Sequence, residues 1–134
     1  YMEVRLLTSD DYDTLSLWWK DWRWTAPPKD MLPENGLGGV MIHKDGKEIC
    51  AGFVYFTNSS AAWLEFIVSN FHYREDDRQD ALRLLINVLT ELIKDKGSYK
   101  YIYTSLKSES LIERYSECGF DMGSTNCNEM IKVL

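Results

Sequence analysis

Glu65 is the residue whose type and surroundings most favour proton transfer. It is the one carboxylate within the apolar run from Ala61 to Val68. Burial there would raise its pKa toward the range of a useful general base. Strand alternation offers a structural alternative, because every second side chain of a strand points to the other face and Glu65 could face the solvent.

Other common catalytic chemistries have no support in the sequence. His43 and His72 have no Cys or carboxylate at metal-ligand spacing, so no metal site is expected. The three cysteines form no C-x-x-C pair, and we interpret them as reduced thiols of an intracellular protein. The sequence contains neither a G-x-S-x-G motif nor a phosphate-binding P-loop, which leaves hydrolase and nucleotidase functions unsupported.

Four tryptophans lie within seven residues, at positions 18, 19, 22 and 24. Such a cluster usually belongs to a hydrophobic core. Four indoles at this spacing cannot all lie on one helical face, so at least one should be exposed or reach into the following loop.

Length and composition indicate one globular domain over residues 1–134, with 45% hydrophobic and 27% charged residues. Fifteen Lys and Arg against 21 Asp and Glu give a net charge of −6, which opposes non-specific binding to nucleic acid or an anionic membrane. No apolar stretch approaches the length of a membrane helix, and Glu3, Val4 and Arg5 do not begin a secretory signal. We therefore expect a soluble, cytoplasmic protein.

The apolar patterning predicts six strands and three helices around one long loop. The Lys44-Asp45-Gly46-Lys47 turn is a strong hairpin signal, and the stripe of leucines after Arg78 predicts the most secure helix. The predicted elements are a strand Met2–Leu7, a helix from Tyr12 to near Trp24, the loop Thr25–Gly36, strands Val40–His43, Ile49–Phe56 and Ala61–Val68, a helix Arg78–Lys96, a strand Tyr99–Thr104, a short helix ended by Gly119, and a closing strand Asn128–Leu134.

This order, β-α-loop-β-β-β-α-β-α-β, predicts an α+β fold with a mixed six- or seven-stranded sheet and helices on both faces. A strand, helix and strand in succession normally form a right-handed parallel crossover. We therefore expect the strands near Phe66 and Ile102 to be the only parallel neighbours.

The same order, together with Ser108-x-x-Leu111-x-x-x-Tyr115-x-x-x-Gly119-Phe120, resembles the GNAT superfamily of acyl-CoA-dependent N-acetyltransferases. The late segment of that superfamily commonly reads N-x-x-A-x-x-x-Y-x-x-x-G-F, and the resemblance covers essentially the whole chain. The Trp18-Trp19 pair, Leu32-Pro33-x-x-Gly36 and the run Trp63–Asn70 look most like small GNAT-like proteins of phage genomes.

The resemblance implies how acetyl-CoA would be held. The strand matching Ala61–Val68 would carry a bulge and splay from its parallel neighbour, leaving Phe66, Ile67 and Val68 to pair with pantetheine. The superfamily's pyrophosphate motif, R/Q-x-x-G-x-G/A, would fall at Asp76-x-x-Gln79-x-Ala81, where the first residue is acidic and the middle glycine is missing. The residues implied for the rest of the cofactor are Arg74, Arg78, Gln79, Asp80, Ala81 and Ser108, the last also a candidate helix cap.

The resemblance also implies catalytic roles. Glu65 would deprotonate a primary amine, a backbone N–H near Val68 would stabilise the oxyanion, and Tyr115 would protonate the leaving thiolate. The structural alternative for Tyr115 is a core tyrosine on the same stripe as Leu111 and Cys118. Trp22 and Trp24 are the candidates for the acceptor cleft.

Two functions therefore stay open. One is an N-acetyltransferase acting by direct transfer in a ternary complex, with a small amine or a basic peptide as acceptor, which the net charge of −6 favours. The other is a catalytically inactive GNAT-shaped binding or phage accessory protein, which the altered pyrophosphate motif favours. A homodimer is compatible with either function.

Overall fold

The structure is a computed structural model that describes all residues from Tyr1 to Leu134. It has five strands and three α-helices, and two short 3₁₀ turns, Lys29–Met31 and Pro33–Gly36, lie in the long loop. The elements are β1 (Glu3–Leu6), α1 (Asp11–Asp21), β2 (Gly39–Lys44), β3 (Lys47–Tyr55), β4 (Ala61–Ser69), α2 (Arg78–Asp95), β5 (Tyr101–Tyr103) and α3 (Glu109–Glu117). No helix combines the length and the apolar character that a membrane span requires.

The five strands form one mixed sheet in the order β1-β2-β3-β4-β5. Neighbours pair antiparallel except β4 and β5, which are parallel. The predicted α+β class and the single parallel pair after the crossover helix are therefore confirmed. The β2–β3 hairpin turns at Asp45 and Gly46, which both have positive φ, as the primed turns that suit the twist of a hairpin require.

The two faces of the sheet carry separate cores. On one face, α2 and α3 pack against the sheet through fully buried side chains such as Leu85, Leu89 and Tyr115. On the other face, α1 covers the middle strands through Leu15, Trp18 and Trp19. Helices on both faces agree with the prediction.

A buried ionic network holds α1 against the sheet. Asp11, at the start of α1, has only 4% of its surface exposed. It accepts two hydrogen bonds from Arg5 of β1, at 2.8 and 2.9 Å, and one from the Thr8 N–H at 2.7 Å. Arg5 also pairs with Glu48 of β3 at 2.6 Å, so one guanidinium joins α1 to two strands.

The predicted closing strand Asn128–Leu134 is wrong, and the sheet has five strands rather than six or seven. Residues after Phe120 form neither strand nor helix and are exposed. The outer edge against which a closing strand would lie is β5, which is only three residues long and offers few backbone groups for pairing. The alternating apolar residues of the segment 128–134 therefore have no neighbouring strand of similar length with which to pair.

Candidate active site

The centre of β4 is interrupted by a β-bulge at Phe66. Phe66 has φ of 57°, in the left-handed region that a phenylalanine rarely adopts. The register jumps here, because Ala51 pairs with Val68 while Phe53 pairs with Glu65. Phe66 and Ile67 therefore oppose a single residue of β3, Gly52. A side chain at Gly52 would meet Ile67 Cγ1 at 2.9 Å and Leu89 Cδ1 at 3.0 Å, so this close approach requires a glycine.

Beyond the bulge, β4 and β5 separate and leave a gap. Only Ala61–Trp63 pair with β5, at Tyr101–Tyr103. The Asn70 N–H donates to the Ile49 carbonyl of β3 at 2.7 Å. Since peptide groups alternate along a strand, the N–H of Val68 also points to β3, whereas the peptide groups of Ile67 and Ser69 face the gap. The expected oxyanion contact from Val68 therefore does not fit, and Ile67 is the better-placed donor.

Glu65 reaches into this gap. Its carboxylate accepts a hydrogen bond from the Ser105 N–H at 2.8 Å and from the Ser105 hydroxyl at 3.3 Å. Partial burial raises the pKa of Glu65, an effect that the hydrogen bonds from Ser105 and the Thr104 hydroxyl offset in part and the charge of Glu129 reinforces. Glu65 is thus half-buried with a raised pKa, rather than a solvent-facing strand residue.

Tyr115 approaches the same gap from the other face of the sheet. It is 2% exposed, packs edge-on against Phe120 at 4.9 Å, and its hydroxyl has no hydrogen-bond partner. Burial raises the pKa of Tyr115 far above its usual value, and the negative charge of Glu65 raises it further. The phenol therefore stays protonated and has a proton to donate, but the raised pKa makes it a weaker acid than a free tyrosine.

Thr104 and Ser105 were missed by the sequence analysis. The Thr104 hydroxyl lies close enough to lower the pKa of both Glu65 and Tyr115, yet it is buried without a hydrogen bond of good geometry to either. Both residues directly follow the parallel strand β5. The carboxyl ends of parallel strands are where sites are commonly built, and this signal could have identified them.

The start of α2 offers free backbone donors. The N–H groups of Gln79 and Asp80 have no partner, whereas the Ala81 N–H already donates to the Asp77 carbonyl and Ala81 is fully buried. Ala81 is therefore a core residue and does not fit its expected contact with phosphate. Moving the pyrophosphate segment two residues earlier, to Arg74-x-x-Asp77-x-Gln79, puts a basic residue first and the free donors at its end.

The acidic residues around this helix start separate into two groups. Asp77 accepts hydrogen bonds from Lys44 at 2.7 Å and Tyr73 at 2.6 Å, and Asp80 pairs with Arg83. Glu75 and Asp76 have no such partners and are exposed. They line a depression of about 300 Å³ together with Arg74, Arg78 and Gln79.

Trp22 and Trp24 lie at this charged end, beyond β4, and away from Glu65. The Trp22 indole N–H donates to the Ser69 carbonyl at 2.8 Å, and its ring stacks on Trp24 at 5.9 Å. The guanidinium groups of Arg74 and Arg78 each lie 5.8 Å from the Trp22 ring. Both tryptophans are at least partly exposed, as the spacing predicts, but their surroundings are cationic and suit an anion better than an amine.

Two other implied cofactor residues have structural partners. The Ser108 hydroxyl accepts from the Leu111 N–H at 3.4 Å and caps α3. The Gln79 side-chain oxygen accepts from Arg114 at 2.9 Å, which ties the start of α2 to α3 and leaves the Gln79 side-chain NH₂ and backbone N–H for a ligand.

The groove as a whole fits an acyl-CoA. The gap between β4 and β5 offers a pantetheine arm the peptide groups of Ile67, which by strand alternation face away from β3. The hydroxyls of Tyr115 and Thr104, which have no hydrogen-bond partner, could pair with a polar group there. The start of α2 offers two free N–H groups and two arginines to phosphates, including a buried Arg78 nitrogen with no partner. The exposed carboxylates of Glu75 and Asp76 are the feature that fits least.

No family model and no curated protein sequence matches the chain, whereas its fold is similar to that of several solved structures. Among solved structures, the ribosomal-protein-S18-alanine N-acetyltransferase from Escherichia coli is similar, with a TM-score of 0.70 at 14% identity over 92% of this chain and 80% of that one. A Trypanosoma brucei acetyltransferase has a TM-score of 0.63 at 21% identity over 98% of this chain and 100% of that one.

A third structure contains a bound ligand. It is the N-acetylglutamate synthase from Neisseria gonorrhoeae complexed with coenzyme A and N-acetyl-glutamate, with a TM-score of 0.72 at 12% identity over 92% of this chain and 29% of that one. Sequence identities this low support similarity of the fold alone. The chain therefore has the α+β fold of the GNAT acetyltransferases.

Proposed function

We propose that this protein transfers an acetyl group from acetyl-CoA directly to a primary amine within a ternary complex. The observation that carries the proposal is the meeting of three groups in the gap beyond the Phe66 bulge. Glu65, with a raised pKa, reaches it from one face of the sheet, and the partnerless hydroxyls of Tyr115 and Thr104 reach it from the other.

Each group has a defined task. An amine of ordinary basicity is almost wholly protonated at neutral pH, so Glu65 accepts a proton from its ammonium form, directly or through a water. The acetyl thioester, when bound, supplies the electrophilic carbonyl. The Ile67 N–H faces the gap and would donate to the carbonyl oxygen while the amine nitrogen bonds to the carbonyl carbon and the C–S bond breaks. The Tyr115 hydroxyl would give its proton to the departing sulfur, and the second proton that the nitrogen loses on forming the amide would restore the hydroxyl.

The charged end of the groove holds the phosphates. Arg74, Arg78 and the free N–H groups of Gln79 and Asp80 supply the positive potential there. Because Glu75 and Asp76 line the same depression, we expect the phosphates to be held less tightly than the pantetheine arm.

The first test is calorimetric titration of the purified chain with acetyl-CoA and CoA, paired with melting curves. A ligand at one hundred times its dissociation constant should stabilise the protein by about 2.7 kcal/mol. The second test follows thiol release with a panel of primary amines, with Glu65→Gln as the inactive reference. Transfer that persists unchanged in Glu65→Gln would remove this carboxylate from the mechanism.

A binding or accessory protein without transfer activity is the second candidate. The exposed carboxylates of Glu75 and Asp76, in a helix start without glycines, favour it. Absence of acetyl-CoA binding and of transfer to every amine of the panel would decide for this function.

A further inference from the structure

Three aromatic side chains lie on one face of the sheet beside Glu65. The register pairs Tyr55 of β3 with Trp63 of β4, and Trp63 with Tyr103 of β5. Paired residues of neighbouring strands project to the same side, so the three side chains share this face. The rings of Trp63 and Tyr103 are 4.2 Å apart between centroids, whereas the Tyr55 ring lies 6.3 Å from the ring of Phe66. We refer to Tyr55, Trp63 and Tyr103 as the aromatic row.

The aromatic row is left open by the packing of α1. This helix covers the same face over Met41, Phe53 and Val68 but does not extend to the beginning of β4 or to β5. As a result 38% of Trp63 and 55% of Tyr103 are exposed. Adjacent large rings that stay accessible on a sheet face are typical of a binding surface. The Tyr55 hydroxyl donates to the Met31 carbonyl at 2.8 Å, which fixes one end of the row against the long loop.

Glu65 gives this surface a negative end. It lies two residues after Trp63 on the same strand and therefore on the same face, about 7 Å further along. Its charge contributes to raising the pKa of Tyr55 to about 12, after the larger effect of burial. Glu65 has no ion pair with any Lys or Arg, and Glu129 is near enough to add to the negative potential. Aromatic faces beside an unpaired carboxylate attract an organic cation with an apolar body.

We propose that the acceptor is a primary amine that carries a flat apolar ring, with the ring lying on Trp63 and Tyr103 and the ammonium group at Glu65. A linker of two or three carbons spans the distance between successive side chains on one face of a strand. This inference rests on the proposed acetyl transfer and names its substrate class. It also moves the acceptor away from Trp22 and Trp24, which lie with Arg74 and Arg78.

The experiment compares acetyl transfer to 2-phenylethylamine and to n-butylamine, with each rate referred to the concentration of unprotonated amine, because the phenyl ring makes the first amine the weaker base. We expect kcat/KM to be at least about tenfold higher for 2-phenylethylamine, as stacking on one or two aromatic side chains allows. Trp63→Ala should raise KM for 2-phenylethylamine about tenfold and leave kcat nearly unchanged, with n-butylamine kinetics unaffected. Tyr103→Ala, at a more exposed position, should act in the same direction with less risk to folding.

Phe56→Ala is the matched control. Phe56 is 46% exposed and directly follows Tyr55, the last residue of β3, but its ring lies on the opposite face, where it contacts Tyr99 and Lys96. Its removal should leave both amines unaffected. Equal kcat/KM for the two amines, or a loss in Trp63→Ala shared by both, overturns the inference while acetyl transfer stands.

The aromatic row could also be covered by a second copy of the chain, and sedimentation of the wild type and of Trp63→Ala tests this. A dimer that Trp63→Ala dissociates would overturn the inference, whereas a monomer in both proteins leaves the row free for the acceptor. If the wild type neither binds acetyl-CoA nor acetylates either amine, the proposed function itself fails, and the acceptor class fails with it.

Discussion

The two ends of the candidate groove differ in the chemical groups that they offer to a ligand. At the gap between β4 and β5, the donors and acceptors are peptide groups, two buried hydroxyls and one carboxylate, fixed by a bulge in the sheet. At the start of α2, they are the exposed Arg74, the partly buried Arg78 and two exposed carboxylates, on one turn of helix and the segment before it. The first end depends on backbone geometry and burial, and the second on side chains that a few substitutions can reverse. We therefore expect substitutions at the gap to change the rate, and substitutions at the helix start to change affinity.

Tyr115→Phe should have the largest effect, because it removes the proposed acid and keeps the ring packed against Phe120. We expect the rate of acetyl transfer to fall by a factor of about 100 to 10,000. Since the hydroxyl has no hydrogen-bond partner, the melting temperature should not fall. Tyr12→Phe is the matched control, because its hydroxyl donates to the Pro27 carbonyl. It should lose about 1 kcal/mol of stability and keep its activity.

Arg78→Gln tests the charged end. Losing a charged donor near the phosphates should weaken CoA binding by about 10- to 100-fold, measured by calorimetry, with little change in kcat. Arg83→Gln removes the same charge from the same helix, but Arg83 pairs with Asp80 and Glu117 outside the depression. Equal losses in the two variants would mean that net charge alone, and no local contact, governs affinity.

Asp76→Arg should act in the opposite direction. Replacing an exposed carboxylate by a cation should tighten CoA binding by a few-fold and make it more sensitive to salt. Asp95→Arg makes the same change of charge at the far end of α2 and should have no comparable effect. Unchanged affinity in Asp76→Arg would place this carboxylate away from the phosphates.

The smallest expected effect is a shift in the acidic limb of the pH profile of kcat/KM. As the proposed base, Glu65 would act in its ionised form, so kcat/KM should fall as pH drops through its pKa, which lies above the ordinary glutamate value because of burial. The hydrogen bond from the Ser105 hydroxyl lowers that pKa. Ser105→Ala removes this bond, so the limb should move to higher pH. Ser110→Ala, an exposed serine of α3, should leave the profile in place, and a shift to lower pH in Ser105→Ala would contradict the assignment.

The sequence predicted the parts of the fold that local patterns determine. Asp45-Gly46 defines its hairpin through two adjacent residues, and the leucine stripe defines α2 to within one residue of its end. The closing strand Asn128–Leu134 failed because pairing needs a partner edge, and the length of β5 is not encoded in the tail itself. Strand formation at an edge depends on a contact that a local pattern does not contain.

The site was predictable to a similar extent. Glu65 and Tyr115 stand out by their setting and by resemblance to a family, and both reach the gap. The location of Trp22 was not predictable, because it depends on the distant Ser69 carbonyl to which its indole donates. The pyrophosphate segment that we propose begins two residues earlier than the segment expected from the sequence, because without glycines only the helix boundary and its free N–H groups define the start. Thr104 and Ser105 have side chains too common to stand out before the parallel strands are seen to end beside them.

Gly52 of β3 influences the shape of the gap through its close contact with Ile67 of β4 and Leu89 of α2. Gly52 has no side chain with which to contact a ligand, yet an added methyl group would press on Ile67 and on Leu89 of α2. Ile67 is the residue whose peptide group faces the gap, so a shift there would move a proposed donor. Variation at position 52 in related sequences should therefore be restricted as tightly as variation at Glu65. In a selection for activity after random mutagenesis, Gly52 should tolerate fewer substitutions than the equally buried Ala51, and free variation at Gly52 would show that the bulge can form without this close contact.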